Sequence, residues 1–212
     1  MKAIIIGAGR GSRLNALTVD APKPYAPIGD RRILDWLLAS LREAGLQEIV
    51  FVGGYQYDMV RADYPDLTFR HNPNWAETNI LASLMCAEDC MDEGFVCTYA
   101  DILYRPEVVS RALEHPADAV LCVDTHWRTR YSDRSQHPED DAEKVIAEGD
   151  RVLRVNRTIS SEVAQGEYIG VARFNAAAAA RLRETYHALK GRLDRVPWKD
   201  GVPFSRAYLI HL

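Results

Sequence analysis

The feature that most constrains this chain is its apolar period, which switches repeatedly between that of a strand and that of a helix. Residues 2–6 form a short β-branched run. Ile33, Leu34, Leu37, Leu38 and Leu41 then recur at helical spacing as far as Gly45, a natural helix stop. Residues 48–52 read as a second strand, followed by Gly53-Gly54 and a short helix to about residue 62. Residues 67–70 make a third strand. Thr78 or Asn79 can cap a helix carrying Ile80, Leu81, Leu84, Met85 and Met91. Residues 94–99 and 119–123 are further strands, with a short helix after Pro106 between them. Alternation of this kind predicts βαβ units, hence an α/β fold with a mixed, mostly parallel sheet flanked by helices.

The pattern changes after Asp124. Residues 126–142 are polar, mixed in charge and without sustained period, as in a surface loop or a segment closing over a ligand. Residues 144–147 and 152–155 read as a hairpin about Glu148-Gly149-Asp150, residues 168–174 as a strand, and residues 176–189 as an Ala-rich helix. A last helix is expected over residues 204–212. No repeat or low-complexity linker interrupts the chain, so residues 1–212 are expected to form one domain.

Composition narrows the function. Lys+Arg is 26 and Asp+Glu is 30, a net charge of −4, which is a poor footprint for a nucleic-acid binder. No apolar run approaches the roughly 20 residues needed to span a bilayer, and the first residues lack the cleavage site of a secretory signal. A cytoplasmic protein without membrane contact is expected. Cys86, Cys90, Cys97 and Cys122 form no C-x-x-C pair and have no histidine at zinc-ligand spacing, so they read as reduced thiols.

The chemistry starts where the first strand ends, at Gly7-Ala8-Gly9-Arg10-Gly11-Ser12-Arg13. Glycines there let backbone N–H groups approach a phosphate closely. A dinucleotide fingerprint would want glycine in place of Ser12 and an acidic residue about 20 positions on, where this chain has no second strand. A P-loop string is absent altogether. A tight turn without ligand remains open. Pro22-Lys23-Pro24 weighs against it, because two prolines fix the backbone around one ammonium. With Arg13, that lysine would make a cationic clamp for a polyphosphate.

Gly7, Gly9, Gly11, Arg13, Leu14, Thr18 and Pro22-Lys23-Pro24 together resemble the signature of nucleotidyltransferases that activate sugar phosphates, phosphocholine and phosphonates. Residues 33–55 are similar to that family's first helix and second strand. Glu77-Thr78-Asn79-Ile80 with Ser83-Leu84 resembles an element of the phosphocholine branch, and Thr98-Tyr99-Ala100-Asp101-Ile102 the strand end with its metal-binding aspartate. The resemblance implies a GT-A-like fold and Mg²⁺-dependent transfer of a nucleoside monophosphate, CTP being the favoured donor. Residues 1–124 would form the nucleotide-binding half and residues 125–212 the acceptor-binding part. Gly7, Ala8, Gly9, Arg10, Gly11, Ser12, Arg13, Lys23, Gly54, Tyr55, Asn79 and Ser83 would bind nucleotide. Arg13 and Lys23 would also neutralise charge on the transferred phosphate, and Asp101 would hold the metal.

Asp101 also stands on its own position, at the carboxyl end of an apolar strand, where open α/β sheets bind ligands; an ordinary capping aspartate is the alternative. Ala142-Glu143-Lys144-Val145 resembles an element that lies near the acceptor in the phosphocholine and phosphonate branches. The resemblance implies that Glu143, Lys144, Arg157 and Glu167 bind the acceptor, with a surface charge pair as the alternative for Glu143-Lys144. Arg157 falls where sugar-phosphate members carry a lysine, a departure that argues against a sugar 1-phosphate. His126, Trp127, Arg128, Arg130, Tyr131, Arg134 and His137 crowd one polar stretch, whose rings could cage a quaternary ammonium and whose arginines could equally hold a phosphonate or carboxylate; a solvated loop of mixed charge is the alternative.

The expected reaction is in-line attack by the acceptor's own phosphate or phosphonate oxygen with loss of pyrophosphate. Alternatives are a sugar 1-phosphate acceptor with UTP, GTP or dTTP, and a nucleotide-binding module without turnover. The family carries a second metal-binding aspartate beyond its last long helix, and none follows Asp200 here. Slow turnover by these 212 residues is therefore expected, with Phe204, Tyr208, Leu209 and Leu212 left uncovered and inviting homo-oligomerisation.

Overall fold

In the computed structural model, residues 1–11, 20–131, 139–193 and 203–209 are described. Among them, strands and helices run in the order β1 (Lys2–Gly7), β2 (Pro27–Ile28), β3 (Arg31–Arg32), α1 (Ile33–Glu43), β4 (Ile49–Gly53), α2 (Tyr57–Asp63), β5 (Thr68–His71), α3 (Ile80–Met85), β6 (Phe95–Tyr99), α4 (Pro106–Glu114), β7 (Ala119–Asp124), α5 (Trp127–Tyr131), β8 (Lys144–Glu148), β9 (Arg151–Asn156), β10 (Gly166–Phe174) and α6 (Ala176–Leu193). Short 3-10 turns include Lys23–Tyr25, Glu139–Asp141 and Phe204–Arg206.

The main sheet, eight-stranded among the described residues, has the order β5-β4-β1-β6-β10-β8-β9, with β7 also on β10. β5, β4, β1 and β6 pair in parallel. β10 is antiparallel to β6, β7 and β8, and β9 to β8, so only β10 and β9 run against the common direction. β1 sits between β4 and β6, covered on both faces, which is why its residues Ala3–Ile6 read as an unbroken apolar run. Alternation decides which core each joins. Ile4 and Ile6 meet Leu81, Leu84, Phe95 and Leu182, whereas Ala3 and Ile5 meet Leu34, Leu37, Leu41 and Val109. Each such fully buried leucine is worth about 1.5–3 kcal/mol over leaving it in water.

Local stops follow chemistry. α1 ends in a Schellman motif, with Gly45 N–H donating to Arg42 O and Leu46 N–H to Leu41 O, both at 3.0 Å. Pro106 opens α4, where its missing N–H leaves no bond unmade. β10 pairs β6 only over Val171–Phe174; past an irregularity it leaves that edge and pairs β8 through Gly166 and Glu167. The switch leaves room for the Tyr99 side chain, at the end of β6, to reach Glu143 just before β8.

Two expectations are corrected. The polar stretch over residues 126–142 is not all loop: it contains α5 and the Glu139–Asp141 turn, and Trp127 and Tyr131 are buried against Ala142. The helix over residues 204–212 is replaced, in its described part, by the 3-10 turn Phe204–Arg206, extended backbone at Ala207 and 3-10 backbone at Leu209. Nor are its described apolar residues uncovered, since Phe204 and Leu209 are buried in the core and Tyr208 is half-buried. The reason is backbone pairing. Ser205 O accepts from Asn79 N–H at 3.0 Å and Ala207 O from Leu81 N–H at 3.3 Å, satisfying the amino end of α3 with carbonyls a helix would have used itself. Among the described residues the cysteines are free, burial pushes the Cys97 thiol up to about 12, and no helix is long and apolar enough to cross a membrane.

Candidate active site

The carboxyl ends of β1, β4 and β6 converge. Ala8 O, just past β1, accepts from Tyr55 N–H at 2.9 Å, locking the turn after β1 to the turn after β4. Gly54 permits that approach: a Cβ there would lie 2.5 Å from Trp75 Cβ and 2.7 Å from Ala8 O. Gly9 faces open space. The Arg10 guanidinium lies 5.5 Å over the Tyr55 ring, which meets Trp75 edge-on.

Gly11 joins this loop to the proline-locked lysine. Its φ of +69° is a conformation L side chains rarely adopt, and a Cβ would fall 2.6 Å from Lys23 Cβ. Lys23 opens the 3-10 turn, and its ammonium contacts the Asp101 carboxylate, both side chains about one third exposed at 32% and 29%. Asp101 follows the end of β6, where Ala100 N–H donates to Ile6 O at 3.1 Å. Thus loop, turn and carboxylate meet at one point on the carboxyl edge of the sheet. Behind Lys23 the turn is anchored through Tyr25. Its hydroxyl donates to Asp63 Oδ2 at 3.0 Å, its ring carries the Arg32 guanidinium at 3.8 Å, and Arg32 donates to the same carboxylate at 2.8 Å. Hydrogen bonds from Arg32 and then Tyr25 hold Asp63 below the usual carboxylate range.

Asn79 and Ser83 stand differently. Asn79 caps α3, its side-chain oxygen accepting from Ile80 N–H at 2.9 Å. Ser83 is buried, donating to Asn79 O at 3.1 Å and accepting from Asn72 at 2.9 Å. The structure keeps the Ser83 hydroxyl inside rather than bringing it to the carboxyl edge of the sheet. Asn72, which sequence reasoning missed, is the buried hub here, also donating to Thr78 at 2.9 Å and accepting from Asn74 N–H at 3.0 Å. Its place directly after β5 was the available signal.

Beyond the end of β6, Glu143 and Lys144 are 5% and 1% exposed, which excludes the surface charge pair. Tyr99 OH donates to Glu143 Oε2 and Arg157 Nη2 to Glu143 Oε1, each at 3.3 Å. Lys144 Nζ donates to the Arg157 carbonyl at 2.6 Å. Glu167 accepts from Tyr131 OH at 2.6 Å, tying α5 to β10. The structure therefore brings Glu143, Lys144 and Arg157 into one cluster. Trp127 and Tyr131 meet edge to face at 5.7 Å and are buried, so they form no open aromatic cage. Ser12, Arg13, Leu14, Thr18, Arg134, His137, Asp200 and Leu212 lie outside the described residues.

Burial pushes the Glu143 carboxyl above the ordinary value of 4.5, against the opposing pull of Arg157. Folding then favours the protonated acid. That contribution is complete below 4.5 and is lost as pH rises through the folded value. Wild-type protein is expected to lose stability relative to Glu143→Gln as pH rises from about 4.5 towards neutrality. Thermal midpoints across that range test it, and a gap that stays constant would contradict a raised acid.

Among the described residues no group of three or more His, Cys, Asp or Glu could hold a metal ion by itself. Asp101, partly exposed and already on a cation, suits Mg²⁺ that takes its remaining ligands from phosphates and water.

Comparison with known proteins gives the class: the protein is a nucleotidyltransferase. Residues 3–192 match the MobA-like NTP transferase domain, and the chain belongs to that family. The CTP:phosphoglutamine cytidylyltransferase of Campylobacter jejuni is 28% identical over 219 residues, spanning 99% of this chain and 85% of that protein. The 2-aminoethylphosphonate cytidylyltransferase of Lancefieldella rimae is 31% identical over 110 residues, 50% of this chain and 44% of that one. The inositol-1-phosphate CTP transferase from T. maritima shares the GT-A-like fold, with a TM-score of 0.70 at 21% identity over 90% of this chain and 74% of that chain.

Proposed function

We propose that this protein transfers CMP from CTP to a small acceptor bearing a phosphate or phosphonate, releasing pyrophosphate. The observation that carries the reading is the Lys23 ammonium, in contact with the Asp101 carboxylate while its alkyl chain backs onto Gly11 of the glycine loop. Backbone N–H groups of residues 7–11, with Ser12 and Arg13, cradle the phosphates, and Gly54 and Tyr55 support the loop from beneath. Lys23 and Arg13 steady the charge that builds on the transferred phosphoryl group. Mg²⁺, held by Asp101 and the phosphates, supplies further charge neutralisation when bound. The acceptor oxygen is already anionic, so the chain needs no general base; its task is alignment.

Arg157, one third exposed, and the half-buried Glu167 offer both signs of charge to the acceptor, which suits a zwitterionic amino compound, while the buried Glu143 and Lys144 hold Arg157 in place. Burial of Trp127 and Tyr131 disfavours choline. Likeness along nearly the whole chain to an enzyme named for phosphoglutamine supports an acceptor of that class. The test is pyrophosphate release with CTP, UTP, GTP and ATP against phosphoglutamine, 2-aminoethylphosphonate, phosphocholine and glucose 1-phosphate. CTP with phosphoglutamine or the phosphonate is expected to be fastest. Preference for UTP or GTP with glucose 1-phosphate would overturn the reading, and nucleotide binding without turnover would leave a non-catalytic module.

A further inference from the structure

Arg157 has five N–H donors and, among the described residues, its guanidinium commits one hydrogen bond, to Glu143 at 3.3 Å. Its Nε is buried without a hydrogen-bond partner there, although the side chain as a whole is 35% exposed. What holds the guanidinium is instead a ring: its carbon lies 4.3 Å over the centre of Tyr208. Tyr208 is brought there by its own neighbours. Ala207 is buried and pairs with Leu81 N–H, Leu209 is buried on the other side, and Ser205 O holds Asn79 N–H. Lys144 fixes the Arg157 backbone from beneath through its carbonyl. A planar cation with Glu143 on one edge and an aromatic face below has lost most of its freedom to rotate, and its remaining donors can meet an anion in one plane.

We infer that Tyr208 is a positioning residue of the acceptor site, the surface that sets the Arg157 guanidinium to receive an anionic group of the acceptor. This rests on Arg157 lying in the acceptor site, as proposed above. The ring face does this, so the effect follows aromatic area and acts through Arg157. It also makes the segment over residues 203–209 a bridge from the amino end of α3 to the acceptor.

The experiment is calorimetric titration of the full chain with phosphoglutamine, paired with steady-state KM values for phosphoglutamine and CTP. Tyr208→Leu is expected to weaken phosphoglutamine binding about tenfold, as for loss of a partly desolvated cation–π contact, with CTP affinity unchanged. Tyr208→Phe should recover the affinity, and Tyr208→Trp should equal or exceed it, which keeps the test open if the leucine variant folds poorly. In an Arg157→Lys background Tyr208→Leu should add little. Unchanged acceptor affinity in Tyr208→Leu, or the same tenfold loss in the Arg157→Lys background, would overturn the inference, the latter because the ring would be acting elsewhere. If Arg157→Lys alone leaves acceptor affinity intact, it is the assignment of Arg157 that falls.

Discussion

Replacing Lys23 with methionine is expected to lower kcat/KM about 100-fold, as when one preorganised partner of a developing charge is removed. Methionine keeps an unbranched side chain beside Gly11, so the loop retains its neighbour while the charge is lost. The fold should barely notice. The Lys23–Asp101 pair is about one third exposed, and pairs of that kind contribute roughly 0–1 kcal/mol. That corresponds to a thermal midpoint shift of no more than about 4 °C in a domain of this size. The prolines on either side and the anchor through Tyr25, Arg32 and Asp63 hold the turn in both proteins. Pre-steady-state and steady-state rates with CTP measure the effect, and turnover near wild type would remove Lys23 from the chemistry.

The other large effect should come from below the site. Phe51 is fully buried in β4, and its ring lies under both glycine turns. A Cβ on Gly7 would collide with it, and one on Gly53 would sit 3.3 Å from it. Phe69 meets it at 5.9 Å. Phe51→Ala removes a whole ring from a site whose glycines cannot collapse to fill it. We expect a loss of about 3–5 kcal/mol in denaturant unfolding, and a midpoint lower by about 10 °C. Leu153→Ala, at a side chain 54% exposed, should fall within about 0.5 kcal/mol of wild type and serves as the control. A Phe51→Ala loss no larger than that control's would mean that the turns rest on something else.

Phe51 and Lys23 illustrate two degrees of legibility. The strand carrying Phe51 was readable because a buried parallel strand must be apolar on both faces, and the run over residues 48–52 could hardly be anything else. The lysine turn was readable because proline restricts φ wherever it occurs, whatever the surrounding fold. The meeting of Gly11, Lys23 and Asp101 could be expected only because each stands beside a strand end, and parallel strands bring such ends to one edge. Ser83 was harder. Its helical position was plain from the sequence, but its hydrogen bonding depends on Asn72, a buried residue just past β5.

Residues Ile33 to Leu41, the glycine loop and Pro22-Lys23-Pro24 were determined by the sequence itself, because backbone restriction and apolar period act within one or two turns of chain. The tertiary structure alone decided that Glu143 and Lys144 go inside, that Trp127 and Tyr131 close on each other, and that Tyr208 lies under Arg157. The stretch from Phe204 has helical spacing, yet the carbonyls of Ser205 and Ala207 are taken by the N–H groups of Asn79 and Leu81. No local pattern could report that competition. A backbone acceptor goes to whichever donor the folded chain brings to it, and here the donors belong to an element more than a hundred residues away in sequence.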